Sequence, residues 1–290
     1  MYHKFFGLKE SPFNINPDPR YLFMTRHTQE ALACLIYGIQ ARKGFVVLTG
    51  EVGTGKTTVL NKMLEWARHE NVATAFIFNP RLSEMEFLDF MMADFAIPGE
   101  SQMKSRVLIN LNHWLLERHQ QGQRAVLVVD EAQNLSVEML EEIRLLTNLE
   151  TSSEKLLQIV LAGQPEFDRK LDAPNLRQLK QRIVLRYSLQ PFTLRDAVEY
   201  MQSRLEKAGM PNQTVFPEEL MAEIHLRTQG IPRVINAICD NLLLTAFALE
   251  QKVCTAEMLD EVCRDIRLEW PGSRRARSRI DDESYERTRF

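Results

Sequence analysis

Residues 50–57 read GEVGTGKT and fit the pattern G-x-x-x-x-G-K-[ST] without a departure. The apolar run FVVLT, Phe45–Thr49, precedes them, and Lys56–Glu70 carries apolar side chains at helical spacing. A strand, a glycine loop and a helix in this order direct backbone N–H groups at a phosphate chain. We therefore predict that a nucleotide binds to this loop and to the threonine after it: Gly50, Glu51, Val52, Gly53, Thr54, Gly55, Lys56, Thr57 and Thr58.

Four side chains near this loop have the chemistry for hydrolysis of a Mg²⁺-bound nucleotide. Lys56 is predicted to reach the β- and γ-phosphates, and the Thr57 hydroxyl to ligate Mg²⁺. The run VLVVDE over 126–131 indicates a buried strand that ends in two carboxylates at the sheet edge where ligands bind. We predict that Asp130 holds Mg²⁺ through its water and that Glu131 is the general base for an attacking water. The second carboxylate favours hydrolysis over transfer to another substrate.

Apolar runs alternate with helical patterns up to residue 190, which predicts a parallel sheet with helices on both faces. The predicted strands cover 45–49, 73–78, 125–129, 156–162 and 183–187. The predicted helices of this part cover 27–43, 56–70, 83–95, 104–121 and 137–149. Beyond residue 191 only helical patterns follow. The predicted fold is a P-loop α/β domain with flanking helices, followed by a small all-helical lid domain.

Four segments are predicted along the chain. Residues 1–26 are rich in aromatic residues and proline, which predicts an ordered extended arm held by aromatic burial. Residues 27–190 form the nucleotide-binding domain and 191–268 the lid. Residues 269–290 contain few apolar side chains and an arginine cluster, which predicts a disordered tail.

The composition excludes several classes of protein. The chain has 290 residues, 44% hydrophobic and 26% charged, and a formal net charge of −3. These values exclude wholesale disorder, a collagen-like chain and a disulfide-stapled miniprotein. The charge weighs against a broad nucleic-acid-binding face, although it leaves a local basic patch open. The four cysteines lack CxxC or zinc-ligand spacing and indicate a reducing compartment. With no signal peptide and no apolar run long enough to cross a bilayer, we expect a cytoplasmic chain without a transmembrane segment.

Several motifs together resemble the AAA+ ATPases, and more narrowly a short form of the ExeA or general secretion pathway protein A type. They are the arm FGLKESPFNINPDPRYLF, the loop GEVGTGKTT and the segments VLVVDEAQNL, LAGQPEF and LRQLKQRIVLRYSLQPF. The resemblance covers residues 1–268. It implies an ATPase that converts ATP to ADP and phosphate with Mg²⁺.

The resemblance also implies roles for individual residues. Gln164 occupies the position of the polar sensor at the end of the fourth strand, where the family more commonly has Asn or Thr. Arg182 matches an arginine finger that acts on the neighbouring subunit's nucleotide, with Arg177 and Arg186 as nearby rivals. Arg233, in GIPR, matches the sensor of the lid that contacts the γ-phosphate.

Two further positions follow from the resemblance. Asn79 matches the residue that holds the catalytic glutamate in an inactive orientation, although Asn before proline also suits a turn. Phe13 is a candidate cover for the adenine pocket, which Ile231 and Pro232 would complete, and core packing is an equal alternative for each.

The resemblance implies a homo-oligomer, ring or helical, because an arginine finger acts between subunits. It further implies coupling of hydrolysis to assembly or remodelling of an envelope secretion, pilus or polysaccharide-export machine, with a protein partner in that complex. Such a chain could be peripheral at the inner membrane. The alternative is an ATP-dependent, DNA-associated regulator of the transposition or replication type, using the Arg274–Arg279 cluster. A nucleotide-gated scaffold with negligible turnover is the third hypothesis.

Overall fold

The protein is described by a computed structural model over residues 2–14, 19–78, 81–98, 103–210 and 215–267. Within these ranges the chain divides into two compact units. One contains the residues of 17–190, and the other those of 1–16 together with 191–290. The aromatic arm over 1–26 is therefore shared between the units. The Asn79 position and the tail over 269–290 lie outside the described residues.

The unit of residues 17–190 is built on a five-stranded sheet in the order β2-β3-β4-β1-β5, and every neighbouring pair is parallel. The strands are β1 (Phe45–Gly50), β2 (Ala73–Ile77), β3 (Ala125–Val129), β4 (Leu157–Gly163) and β5 (Ile183–Leu189). Every residue of β1, β3 and β4 is buried, as apolar strands covered on both faces require. The predicted parallel sheet is confirmed.

Helices cover both faces of this sheet. They are α2 (Arg26–Gln40), α3 (Lys56–His69), α4 (Glu84–Asp94), α5 (Lys104–Gln120), α6 (Val137–Leu146), α7 (Pro165–Leu171) and α8 (Arg177–Arg182). Successive strand residues point to opposite faces, so Val126 packs with α2 and α3, whereas Leu127 packs with α4, α5 and α6. Helices α7 and α8 were not predicted, because helices this short have too few turns for a clear apolar period.

In the other unit, helices are the regular secondary structure of the described residues. It contains α1 (Tyr2–Phe6), α9 (Leu194–Lys207), α10 (Glu218–Thr228), α11 (Pro232–Ala248) and α12 (Ala256–Asp265). The buried faces of α9 and α11 contribute Met201, Ile235 and Leu242 to its apolar core. These helices fit the predicted lid.

The start of the arm packs into the helical unit. Phe13 is 0% exposed, and its ring lies 5.8 Å from that of Phe216. Arg204 donates a hydrogen bond of 2.7 Å to the carbonyl oxygen of Pro12. Of the two roles considered for Phe13, the structure shows core packing, because a fully buried ring has no surface left for a ligand.

The arm departs from the expected extended conformation over Tyr2–Phe6, which is helical. Proline is absent from these residues, so nothing in them opposes a helical turn. No helix in the described ranges is both long and apolar enough to cross a bilayer.

Candidate nucleotide-binding site

The loop between β1 and α3 has the backbone of a phosphate cradle. Gly53 and Gly55 have φ angles of 82° and 100°, which favour glycine over residues with a Cβ atom. A Cβ atom built on Gly55 would meet nothing within 4 Å, so the loop is open where it turns into α3. The Thr54 hydroxyl donates to the Glu51 carbonyl oxygen at 2.8 Å and braces the turn. The geometry fits a bound phosphate chain.

Lys56 is the first residue of α3 and is 7% exposed. Its Nζ donates to the carbonyl oxygens of Gly50 at 2.8 Å and Glu51 at 2.9 Å. Burial lowers the pKa of Lys56 below its ordinary value, while the nearby carboxylates of Glu131 and Asp130 oppose that change. A buried ammonium held only by neutral carbonyls gains from an anion, so Lys56 fits a phosphate partner.

Thr57 and Asp130 meet at the same edge of the sheet. The Thr57 hydroxyl donates to Oδ2 of Asp130 at 2.9 Å, and the Glu131 backbone N–H donates to Oδ1 at 2.9 Å. Burial raises the pKa of Asp130, and these two hydrogen bonds act against that rise. The pair supplies a hydroxyl and a carboxylate oxygen, the hard ligands that Mg²⁺ prefers.

The protein alone does not complete a metal cage here. In the described part of the chain, no group of three or more His, Cys, Asp or Glu side chains is placed to hold a metal ion. Mg²⁺ usually keeps several waters and binds through one or two protein groups plus substrate phosphates. Thr57 and Asp130 are therefore a sufficient protein contribution for a nucleotide-bound Mg²⁺.

Glu131 has an unusual backbone conformation, with φ at 53° in the left-handed region. It caps a short 3₁₀ turn, Ala132–Asn134. Its Oε2 accepts hydrogen bonds from the side-chain amides of Gln133 and, at 3.2 Å, Gln164. The predicted base and the predicted sensor are thus in direct contact.

Gln133 also belongs to this site, although its role was not predicted from the sequence. Besides its bond to Glu131, its Oε1 accepts from the Gln164 backbone N–H at 3.1 Å. A polar amide two residues after the Asp-Glu pair was the available signal. Glutamine is common in turns, so this signal alone does not indicate a role for Gln133 at the site.

Three arginines near β5 were candidates for the finger. Arg182 donates to Oγ1 of Thr147 at 2.7 Å and to Oδ1 of Asn148 at 2.8 Å, within its own chain. Arg186 pairs with Asp168 at 3.1 Å. Arg177 is exposed, and the structure gives it no partner among the described residues. Action between subunits stays a prediction for each.

Arg233 lies in the helical unit, exposed in the first turn of α11. The turn before it requires glycine: Gly230 has φ at 70°, and a Cβ atom there would lie 2.1 Å from the carbonyl oxygen of Phe192. Ile231 is the N-cap and Pro232 the first residue of the helix, where its missing N–H costs nothing. The contact of Arg233 with a γ-phosphate stays a prediction.

Comparison with known proteins agrees with this geometry. Residues 39–171 match the family model described as an AAA domain. The chain is 47% identical over 249 residues to General secretion pathway protein A of Aeromonas hydrophila, a match that covers 86% of this chain. It covers 45% of that relative, so the chain spans less than half of the relative's length.

Solved structures share the fold at low sequence identity. The ORC2 protein of Aeropyrum pernix, in its ADPNP–ADP complexes, has a TM-score of 0.65 at 15% identity, over 89% of this chain and 72% of that one. Cdc6p of Pyrobaculum aerophilum has a TM-score of 0.67 at 17% identity, over 89% of this chain and 71% of that one. The RuvB Holliday junction branch migration motor of Thermotoga maritima has a TM-score of 0.54 at 14% identity, over 89% of this chain and 74% of that one.

At these identities the similarity to the solved structures concerns the fold alone. The family match, the close relative and the site geometry together confirm the resemblance found in the sequence. Residues 39–171 of this chain match the AAA domain family, and over 249 residues the chain is similar to General secretion pathway protein A, as the motifs of the ExeA type predict.

Proposed function

We propose that this chain binds ATP together with Mg²⁺ and hydrolyses it to ADP and phosphate, with Glu131 as the general base. The observation that carries the proposal is the meeting of three groups at one sheet edge. Lys56 and Thr57 follow β1, and Asp130 follows β3. The hydrogen bond between Thr57 and Asp130 joins these two segments at 2.9 Å.

Each group has a distinct part in the reaction. The loop N–H groups and Lys56 bind the phosphates and stabilise the charge that develops on them. Bound Mg²⁺, held by Thr57 and by a water on Asp130, would neutralise the β- and γ-phosphate oxygens. Glu131 takes a proton from the attacking water, and Gln164 holds the Glu131 carboxylate from the neighbouring strand end.

The biological role is proposed from the close relative. The 47% identity to General secretion pathway protein A supports coupling of hydrolysis to assembly or remodelling of an envelope machine that includes a protein partner. Secretion, pilus assembly and polysaccharide export are the candidate processes. Four unpaired cysteines support a reducing compartment, so we place the chain in the cytoplasm, peripheral to the inner membrane when its partner is bound.

Oligomerisation is part of the proposal. An arginine from one subunit, with Arg182 preferred, would complete the site of its neighbour in a ring or helical assembly. Arg233, which lies in the helical unit, would contact the γ-phosphate of bound ATP. Both roles rest on the match of these positions to the family.

The proposal is tested by turnover and nucleotide binding in the chain of residues 1–290. We expect Mg²⁺-dependent phosphate release, and we expect Glu131→Gln to retain ATP binding while release falls by roughly 10²–10⁴-fold. Glu138→Gln is the matched control, because Glu138 is an exposed glutamate at the start of α6. Full turnover in Glu131→Gln would overturn the assignment of the base.

A further inference from the structure

The two glutamines around Glu131 hold one oxygen of its carboxylate. Oε2 accepts the amide N–H groups of both Gln133 and Gln164. Within the described residues, Oε1 accepts no hydrogen bond from the protein. One oxygen is therefore anchored, while the other can accept a proton from water.

Gln133 is itself fixed at both ends of its amide. Its Nε2 donates to Glu131, and its Oε1 accepts the backbone N–H of Gln164 at 3.1 Å. The amide thus joins the turn after β3 to the end of β4. Each polar group of the amide has a partner in a defined direction, so the side chain has little freedom to rotate.

The surroundings leave room for this amide and support its backbone. A Cβ atom on Gly163 would lie 3.0 Å from Oε1 of Gln133, so glycine at that position leaves space for the side chain. Lys170 on α7 donates to the Gln133 carbonyl oxygen at 3.2 Å and also to that of Leu135. The 3₁₀ turn is thereby tied to α7, the helix that follows Gln164.

We infer that Gln133 is a positioning residue for ATP hydrolysis: it anchors Oε2 of Glu131 so that Oε1 faces the attacking water. The inference rests on the proposed role of Glu131 as the general base. Both polar atoms of the Gln133 amide are bonded to Glu131 and Gln164, so Gln133 would act through the direction of the carboxylate. A general base must be held in one orientation by its neighbours, and the hydrogen bonds from Gln133 and Gln164 hold the Glu131 carboxylate in this way.

Gln133→Met is the test variant, since methionine keeps the length of the side chain and removes both polar ends. We expect kcat to fall by roughly 10–100-fold, the loss that a displacement of about 1 Å produces in a reacting group. KM and the affinity for ATP should change by less than about twofold, because Gln133 takes no part in binding. A variant that binds ATP normally is folded at the site.

Gln158→Met is the matched control. Gln158 is a buried glutamine at the start of β4, where its amide joins the Gly44 N–H to the Lys155 carbonyl oxygen. It has the same side chain in the same sheet, away from the carboxyl ends of the strands. An equal loss of kcat in this control would show that Gln133 acts through stability and would overturn the inference.

A background variant separates this inference from the function on which it rests. In Glu131→Gln, further substitution of Gln133 should leave the residual turnover unchanged, because the group that it positions is already lost. An unchanged or higher kcat in Gln133→Met, with Glu131→Gln inactive, overturns the inference alone. Full turnover in Glu131→Gln overturns the proposed base itself.

Discussion

The hydroxyl of Thr57 donates a hydrogen bond of 2.9 Å to Oδ2 of Asp130. The two residues follow β1 and β3, strands that flank β4 in the sheet. The bond brings together the two protein oxygens proposed for Mg²⁺, one inside the phosphate loop and one outside it.

Substituting Asp130 by Asn should lower the affinity for Mg²⁺ or the Mg²⁺-dependent activity. Asn keeps an oxygen for the Glu131 N–H and a polar group for Thr57, so the fold should survive. Loss of a carboxylate that holds a metal-bound water costs roughly 10–100-fold in metal affinity or activity. The measurement is phosphate release as a function of Mg²⁺ concentration, and an unaltered Mg²⁺ dependence would contradict the assignment.

Substituting Lys56 by Met should remove nucleotide binding without loss of stability. Replacing a buried ammonium, whose pKa burial lowers, removes a desolvation cost from the nucleotide-free protein. A ligand at about 100 times its Kd stabilises a protein by about 2.7 kcal/mol, and this gain should vanish in the variant.

Thermal unfolding with and without ATP measures this effect. Lys62→Met is the control, because Lys62 lies on the same helix with 44% of its side chain exposed. The control should keep the rise in Tm with ATP. A rise of equal size in Lys56→Met would show that the phosphates bind elsewhere.

Substituting Arg182 by Ala should abolish a contribution that acts between subunits. Arginine fingers contribute roughly 10³–10⁵ in rate in other nucleotide hydrolases. In a mixture with Glu131→Gln subunits, which still supply Arg182, turnover should be partly restored. To act in this way, Arg182 must break its hydrogen bonds with Thr147 and Asn148.

Arg177→Ala tests whether Arg177, and not Arg182, is the arginine finger. Arg177 is exposed at the start of α8, the helix that ends at Arg182, and it has no partner among the described residues. If its loss reduces turnover and mixing restores it, while Arg182→Ala stays active, then the finger is Arg177.

Substituting Tyr2 by Phe should loosen the arm from the helical unit. The Tyr2 hydroxyl donates to Oδ1 of Asp240 at 2.5 Å, and the ring is 8% exposed. A hydrogen bond to a charged group contributes about 1.5–3 kcal/mol. Urea unfolding should show a loss of this size, and Tyr37→Phe, at 53% exposure, should show none.

This bond also gives a dependence on pH. Burial, together with the hydrogen bond to Asp240, raises the pKa of Tyr2 to about 12. Because the folded pKa exceeds the unfolded value of about 10, the stabilisation is fully present below pH 10 or so and is lost as pH rises through the folded value. The difference between wild type and Tyr2→Phe should therefore stay constant at neutral pH and shrink under strongly alkaline conditions.

Much of the site could be predicted from local sequence. The loop from Gly50 to Thr57 and the strand that ends at Asp130 are contiguous segments, and their chemistry is determined by residue type and spacing. Strand–helix alternation was enough to predict a parallel sheet. Short helices such as α7 carried too little periodicity to be found in this way.

Other features depended on contacts between distant segments. The anchoring of Glu131 requires that β3 and β4 lie side by side, so that Gln133 and Gln164 reach the same oxygen. Phe13 could have packed on a ligand or in a core, and contact with Phe216 decided between these.

The sequence by itself determined the class of protein, the phosphate loop and the acidic pair. Only the tertiary structure decided which side chains hold Glu131, where Arg182 is bonded and which unit contains the start of the arm. The physical reason is that hydrogen bonds and burial act between neighbours in space. A glutamine, an arginine or a phenylalanine has several equally suitable partners until the fold brings one of them within reach.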